Sequence, residues 1–257
     1  MASNPSNSKH VVAATIRAGH PDFLDLPWGC PLAAWDGLTP RVEQLPRGLS
    51  RHTVVFLGYS GVVYCLKELP AAIAEREFTL LRQMEEKRLP TVTPVGHVRV
   101  RNAEGEVGVL VTRYLDYSMP YHTLFMGESA TQHRTHLLDA MACLLVQLHL
   151  GGVFWGDCSL SNTLFRRDAG RLTAYLVDAE TSEIHGALTA GQRALDLDLM
   201  QENVFGGLLD LQSVDALPPS FRIDDVCRYI RQRYESLWSE VTSEQTVSSI
   251  EGYQIQE

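Results

Sequence analysis

Lysine is scarce in this sequence. Among 257 residues only Lys9, Lys67 and Lys87 carry an ammonium, within a total of 22 basic and 31 acidic side chains and a net charge of −9. So acidic a chain has no general pull on phosphate backbones or anionic membranes, which argues against nucleic acid as a partner. No apolar run reaches transmembrane length, and the polar opening "MASNPSNSKH" leads into no signal-peptide core, so a cytoplasmic location is expected. The five cysteines (Cys30, Cys65, Cys143, Cys158, Cys227) are odd in number and contain no Cys-x-x-Cys; neither a zinc site nor a disulfide framework is indicated, and reduced thiols fit. Internal repeats, low-complexity tracts and heptad runs are also missing. What remains is an ordinary globular composition, 45% hydrophobic and 21% charged, with chain enough for one large domain or two lobes around a cleft.

The organisation follows from patterning. Residues 1–10 read as a disordered start, and "GHPDFLDLPWGCPLAAWDGL" as an irregular segment whose Phe23, Trp28 and Trp35 cover an edge of the adjoining domain or, alternatively, form a docking patch for a protein partner. Two β-rich runs flank Tyr59-Ser60-Gly61 as a hairpin, a helix is expected from Pro70 to about Arg88, and "TPVGHVRVRN" and "VGVLVTRYL" make a second hairpin across "NAEGE". The first half is therefore a small antiparallel sheet carrying one helix. The second half is mostly helical: Leu137, Met141, Leu144, Leu145 and Leu148 share helical spacing before Gly151-Gly152, a short hairpin turns at "DAGR", two more helices follow, and the end reads as a loose tail. The fold class is α+β.

Five positions carry chemistry. Strand alternation in "VVYCLK" puts Lys67 on the face of Val63 and Cys65, where an ammonium on an apolar surface needs a partner unless it snorkels from the strand end. Glu77 falls on the apolar stripe Ile73, Leu80, Leu81, Met84 of the next helix, whereas Glu75 does not, so Glu77 is that partner or else a lip residue facing water. In "GGVFWGDCSLSNTLFRRDAGRLTAYLVDAETSE", Asp157 and Asn162 stand five positions apart after a long helix and Asp178 ends an apolar strand. Singly each is a turn or cap residue. Together they present a carboxylate to a hydroxyl, and an amide oxygen and a second carboxylate to a metal ion.

With these residues in place the chain resembles the protein-kinase-like superfamily. "WGDCSLSN" is similar to its catalytic loop, "YLVDAE" to its metal-binding segment, "VVYCLKEL" to its phosphate-lysine strand and "EREFTLLRQM" to the helix with the pairing Glu. More narrowly, "PRGLSRHTVVF", "LVTRYLDYSMPY", "FWGDCSLSNTLFRRDAG" and "AYLVDAET" resemble a bacterial family of unassigned function grouped with the lipopolysaccharide (Kdo and heptose) kinases. The resemblance implies a two-lobed kinase-like fold: an extension at 1–45 packing on the N-lobe, an N-lobe at 46–116, a C-lobe at 117–245 and a flexible tail at 246–257. It implies ATP and Mg2+ or Mn2+ as cofactors, the metal on Asn162 and Asp178, and Asp157 as the group that orients an acceptor hydroxyl. Lys67 with Glu77 would hold the α/β-phosphates, and the backbone around Thr112, Tyr114 and Leu115 would meet the adenine.

The sequence also departs from that pattern. No Gly-x-Gly-x-x-Gly is present; "RGLSRH" and "GYSG" are the nearest substitutes, with Ser50, Arg51 and His52 as candidates for covering the phosphates or as an exposed turn. Trp155 stands where the superfamily often has His, and aromatic stacking is expected in its place. Ala179-Glu180 replaces Phe-Gly, so no regulated activation loop is implied; Glu180 reads as a solvated or capping acid, with a second metal or a substrate cation as the alternative partner, His149 as structural, and either Asp196 or Asp198 as the acid that holds the catalytic loop. The short lower lobe favours a sugar, lipid-head-group or small-molecule acceptor. A pseudokinase-type nucleotide-binding module and an adenylyl transferase remain the alternatives.

Overall fold

The computed structural model describes residues 8–45, 51–102, 105–126, 130–217 and 221–243. Ser50, the first seven residues and the expected tail at 246–257 lie outside them. Ser8–His10 form a single 3-10 turn rather than a disordered start, and feed β1 (Val11–Ile16), which sequence patterning did not anticipate. β2 (Val42–Glu43), β3 (Val54–Tyr59) and β4 (Val62–Leu69) follow, then helix α1 (Ala71–Glu86) and the hairpin β5 (Pro94–Asn102) with β6 (Gly105–Arg113). These strands form one six-stranded sheet in the order β1-β5-β6-β4-β3-β2, antiparallel throughout. The β3–β4 turn is made by Ser60 and Gly61 at φ 50° and 80°, the paired left-handed geometry that matches strand twist in a two-residue hairpin.

Alternation along β4 sends Tyr64 and Leu66 to the outer face of the sheet and Lys67 and Leu69 to the inner face. Helix α1 covers the inner face. It comes so close that a Cβ at Gly108 of β6 would stand 2.7 Å from Ala71 Cα and 2.8 Å from Ala74 Cβ, so the glycine sets the depth at which the helix sits. Arg88, at φ 58°, ends the helix, and the Leu89 amide returns to the Met84 carbonyl at 3.0 Å.

The outer face is closed by residues 23–35. Phe23, Leu26, Trp28, Leu32 and Trp35 are buried there against Val55, Leu57, Tyr64, Leu66 and Val111. The two indoles pack edge to face at 5.1 Å, and each satisfies its N–H locally, Trp28 on Phe23 O at 2.8 Å and Trp35 on Cys30 O at 3.0 Å. These aromatics cover a whole sheet face instead of an edge. Being buried, they offer no docking patch to a protein partner.

The second half begins with β7 (Met119–Pro120), α2 (Tyr121–Met126) and α3 (Ala130–Leu150). Then come β8 (Val153–Phe154), the hairpin β9 (Thr163–Asp168) and β10 (Arg171–Leu176), β11 (Glu183–Ile184), α4 (Ala190–Ser213) and α5 (Ile223–Thr242). Its core joins Leu137, Met141, Leu145 and Leu148 of α3 to Met200 and Val204 of α4 and Ile230 of α5. A mixed architecture with the antiparallel sheet first and helices after is the expected two-lobed plan. The segment after α1 ties the halves together: Val92 N–H donates to Leu176 O at 3.1 Å, and Leu176 N–H to Pro90 O at 3.0 Å. No helix among the described residues is long and apolar enough to cross a membrane.

Because Trp35 is fully buried while Leu38, three residues on, is 54% exposed, their truncations should differ. Trp35→Ala is expected to lower the unfolding free energy by about 3–5 kcal/mol and Leu38→Ala by less than about 1 kcal/mol in urea titrations.

Candidate active site

The cleft between the halves is organised by one ammonium. Lys67 Nζ donates to Glu77 Oε1 at 3.1 Å and to Asp178 Oδ2 at 2.8 Å, joining β4, α1 and the segment after β10. Glu77 is completely buried. Its Oε1 also accepts the Ala179 amide at 3.1 Å, while Oε2 lies 3.0 Å from Nζ yet accepts no hydrogen bond. Burial pushes the Glu77 carboxyl up to about 7; Lys67 opposes that rise and the charge of Asp178 adds to it. Burial also works against the Lys67 ammonium, but Glu77 and then Asp178 outweigh it and lift Lys67 above its ordinary range. Two acids around one cation leave the site with spare negative charge.

Helix α1 holds the segment after Asp178 at further points. Arg76 donates to Ser182 O at 3.0 Å and to Glu180 O at 3.3 Å. Glu180 is neither a solvated acid nor a cap: its carboxylate meets His52 Nε2 at 3.0 Å, across the cleft from the β2–β3 connection. Beside it, Arg51 Nη2 stands 4.0 Å from Asp157 Oδ2. The "GYSG" turn lies in the β3–β4 hairpin, whereas of "RGLSRH" the two described residues, Arg51 and His52, reach the site.

The catalytic-loop candidates sit on α4. Asp196, fully buried, accepts the Trp155 amide at 2.6 Å and the Gly156 amide at 2.8 Å, and also contacts His149 Nε2 at 3.1 Å. Asp198 instead pairs with Arg231 on the surface at 2.7 Å, which resolves the choice between them. Trp155 is buried and donates its indole N–H to Asp178 O at 3.3 Å; a hydrogen bond, not the expected stacking, ties the loop to the Asp178 segment. His149 is structural as expected, hydrogen-bonded to Tyr234 OH at 2.7 Å. The Cys158 thiol is driven well up by burial and by Asp196 beside it, and stays protonated.

Asp157 is part-exposed. Its Oδ2 accepts Asn162 Nδ2–H at 2.9 Å, and Asn162 also reaches Asp157 O at 3.2 Å. The donor end of its amide is engaged this way, which leaves the carbonyl oxygen as the end able to act as a ligand. Asn162 and Asp178 flank the paired strands β9 and β10, just before one and just after the other, with Val177 N–H donating to Asn162 O at 3.1 Å. Their oxygens are the hard ligands Mg2+ prefers, and among the described residues no group of three or more His, Cys, Asp or Glu forms a self-sufficient metal cage. A pair of protein oxygens completed by phosphate and water is how Mg2+ is commonly held, so the residues fit it.

The connection between the halves is more closed than the adenine expectation assumed. Thr112 is buried in β6, the Tyr114 amide already donates to Val63 O at 2.9 Å, and Leu115 O accepts from Ser118 at 3.2 Å. Sequence reasoning missed Arg76, the His52–Glu180 contact and Asn203, which donates to Asp157 Oδ1 at 2.9 Å. Only Asn203 left a trace, seven positions after Asp196 and hence on the same helical face.

A model of the lipopolysaccharide kinase (Kdo/WaaP) family matches residues 62–211, more than half the chain and the stretch that holds Lys67, Glu77, Asp157, Asn162, Asp178 and Asp196. Among solved structures, WaaP in complex with acyl carrier protein aligns with a TM-score of 0.51 at 16% identity, covering 90% of this chain and 100% of that one. The crystal structure of an aminoglycoside-3'-phosphotransferase of type VIII aligns with a TM-score of 0.53 at 16% identity, covering 83% and 93%. At such identity these likenesses establish the fold, a two-lobed kinase-like one. No curated protein matches the sequence.

A carboxyl raised from its ordinary 4.5 to about 7 binds a proton more tightly in the folded than in the unfolded chain. The stability this contributes is full below about pH 4.5 and lost as pH rises through 7. In urea unfolding, the wild type minus Glu77→Gln difference should therefore fall by on the order of 3 kcal/mol between those limits; a pH-independent difference would contradict this electrostatic account of Glu77.

Proposed function

Because the chain belongs to the lipopolysaccharide kinase (Kdo/WaaP) family, we propose that it is an ATP-dependent phosphotransferase. It moves the γ-phosphate of ATP to a hydroxyl of a sugar, lipid-head-group or other small-molecule acceptor. The observation that carries this reading is convergence: Lys67 meets Glu77 and Asp178 at 3.1 and 2.8 Å, Asn162 meets Asp157 at 2.9 Å, and the Val177 amide, next to Asp178, joins the two groups through Asn162 O at 3.1 Å.

In this reading Glu77 fixes the Lys67 ammonium so that it meets the α/β-phosphates in a defined place instead of sweeping a rotamer cone. Asp157 accepts the proton of the acceptor hydroxyl. The acceptor oxygen bonds to the γ-phosphorus as the bond from that phosphorus to the bridging β,γ-oxygen breaks, and ADP departs with the electron pair. Asn162 and Asp178 would hold Mg2+ or Mn2+, which when bound offsets the charge on the phosphates. Arg51 and His52, just before β3, take the part of a Gly-rich loop at the phosphates.

Melting curves and turnover test the assignment together. ATP should raise the melting temperature mainly when Mg2+ or Mn2+ is present, since a ligand that binds only the folded state stabilises it by mass action. Asp178→Asn should lose most of that metal-dependent shift. Asp157→Asn should keep it while turnover falls about 10²–10⁴-fold, the usual worth of a general base. Lys67→Met should cripple turnover and Lys87→Met leave it near wild type, since Lys87 closes α1 among exposed charges. A nucleotide-induced shift without transfer to any acceptor would turn the assignment to a pseudokinase, and an acceptor that gains AMP would turn it to an adenylyl transferase.

A further inference from the structure

Asp157 is held from two sides. Asn162, in the same loop, donates Nδ2–H to Oδ2 at 2.9 Å. Asn203, 46 positions further on, donates Nδ2–H to Oδ1 at 2.9 Å. Asn203 projects from α4 two turns beyond Asp196 and from the same face. One helix thus fixes both the backbone of the loop, through the Trp155 and Gly156 amides, and the plane of its carboxylate.

Both donors are amides, which direct the carboxylate's lone pairs without passing it a proton. The geometry also requires two of them. The terminal torsion of Asp is a broad twofold rotor, and a single donor on Oδ2 leaves Oδ1 free to swing. Among the described residues the cation paired with Asp157 is Arg51, 86% exposed and 4.0 Å from Oδ2; the neighbouring Cys158 thiol is neutral and turned to Asp196. A carboxylate free to rotate would be drawn onto that guanidinium and away from an incoming hydroxyl.

We infer that Asn203 is a positioning residue for transfer: by donating to Oδ1 it locks Asp157 in the orientation that accepts the acceptor's proton. The inference rests on the phosphotransfer reading, and its test separates the two. Asn203→Ala should lower kcat for ATP turnover about 10- to 100-fold, the worth of one hydrogen bond to a charged group. KM for ATP and the Mg2+-dependent ATP melting shift should stay within about twofold of wild type, because no nucleotide contact is removed. Asn203→Asp keeps the shape and removes the donor, so it should be at least as damaging. In an Asp157→Asn background Asn203→Ala should cost nothing further in kcat, since two residues acting as one unit are not additive.

Wild-type-like kcat in Asn203→Asp would overturn the inference, as would an equal loss from Asn203→Ala in both backgrounds. A double-mutant cycle on unfolding free energy, with Asp157→Ala and Asn203→Ala, reads the contact without any turnover. Zero coupling there rejects the clamp, whereas clear coupling in a protein that transfers no phosphate keeps the clamp and rejects the phosphotransfer reading.

Discussion

A single buried ammonium shared by two carboxylates holds this molecule in its working shape. Lys67 is on the sheet, Glu77 on the helix packed against it, and Asp178 on the far side of the cleft, so satisfying the ammonium fixes three elements at once. Such a cluster is not a cheap source of stability. Taking ions out of water costs several kcal/mol each, and a buried pair often contributes no more than apolar residues of the same size. Its value lies in geometry. Gly108 lets α1 sink onto β6, the Ala179 amide caps Glu77, and Arg76 secures the next turn of chain, so the helix has one seat and the Asp178 segment one path.

Beneath the cleft α4 plays the complementary part. Asp196 gathers two backbone amides and a histidine in a fully buried site, and Asn203 reaches the carboxylate above. The base of the cleft is therefore rigid. Across the cleft, Arg51 stands 4.0 Å from Asp157 and His52 meets Glu180 at 3.0 Å. The fold alone does not name the acceptor, since one kinase-like scaffold hosts many.

Much of this was legible in the sequence where the signal is local. Alternation along "VVYCLK" and the stripe through Glu77 placed the ion pair on facing surfaces, and the three hairpins, α1, α3 and the last two helices follow from periodicity and turn residues. The resemblance in "WGDCSLSN" and "YLVDAE" gathered the remaining acids. What escaped depends on long-range packing. β1 is an exposed edge strand, with four of its six residues in water, so it lacks the alternation of a half-buried one. Trp28 and Trp35 read as cover for an edge of the adjoining domain in preference to a docking patch; that they close the outer sheet face is not legible, because composition does not say which surface an aromatic meets. His52 finds Glu180 across 128 positions and Asn203 finds Asp157 across 46, distances at which no spacing rule operates.

The central claim is that the cleft transfers the terminal phosphate of ATP by way of Asp157. Incubating the protein with a cell extract, Mg2+ and either γ-labelled or α-labelled ATP, and then identifying labelled products by mass spectrometry, tests it directly. The account predicts a hydroxyl-bearing product that gains the γ-label alone and is absent when Asp157→Asn replaces the wild type. A product that gains the α-label, or γ-labelling that persists undiminished in a folded Asp157→Asn protein, would contradict it.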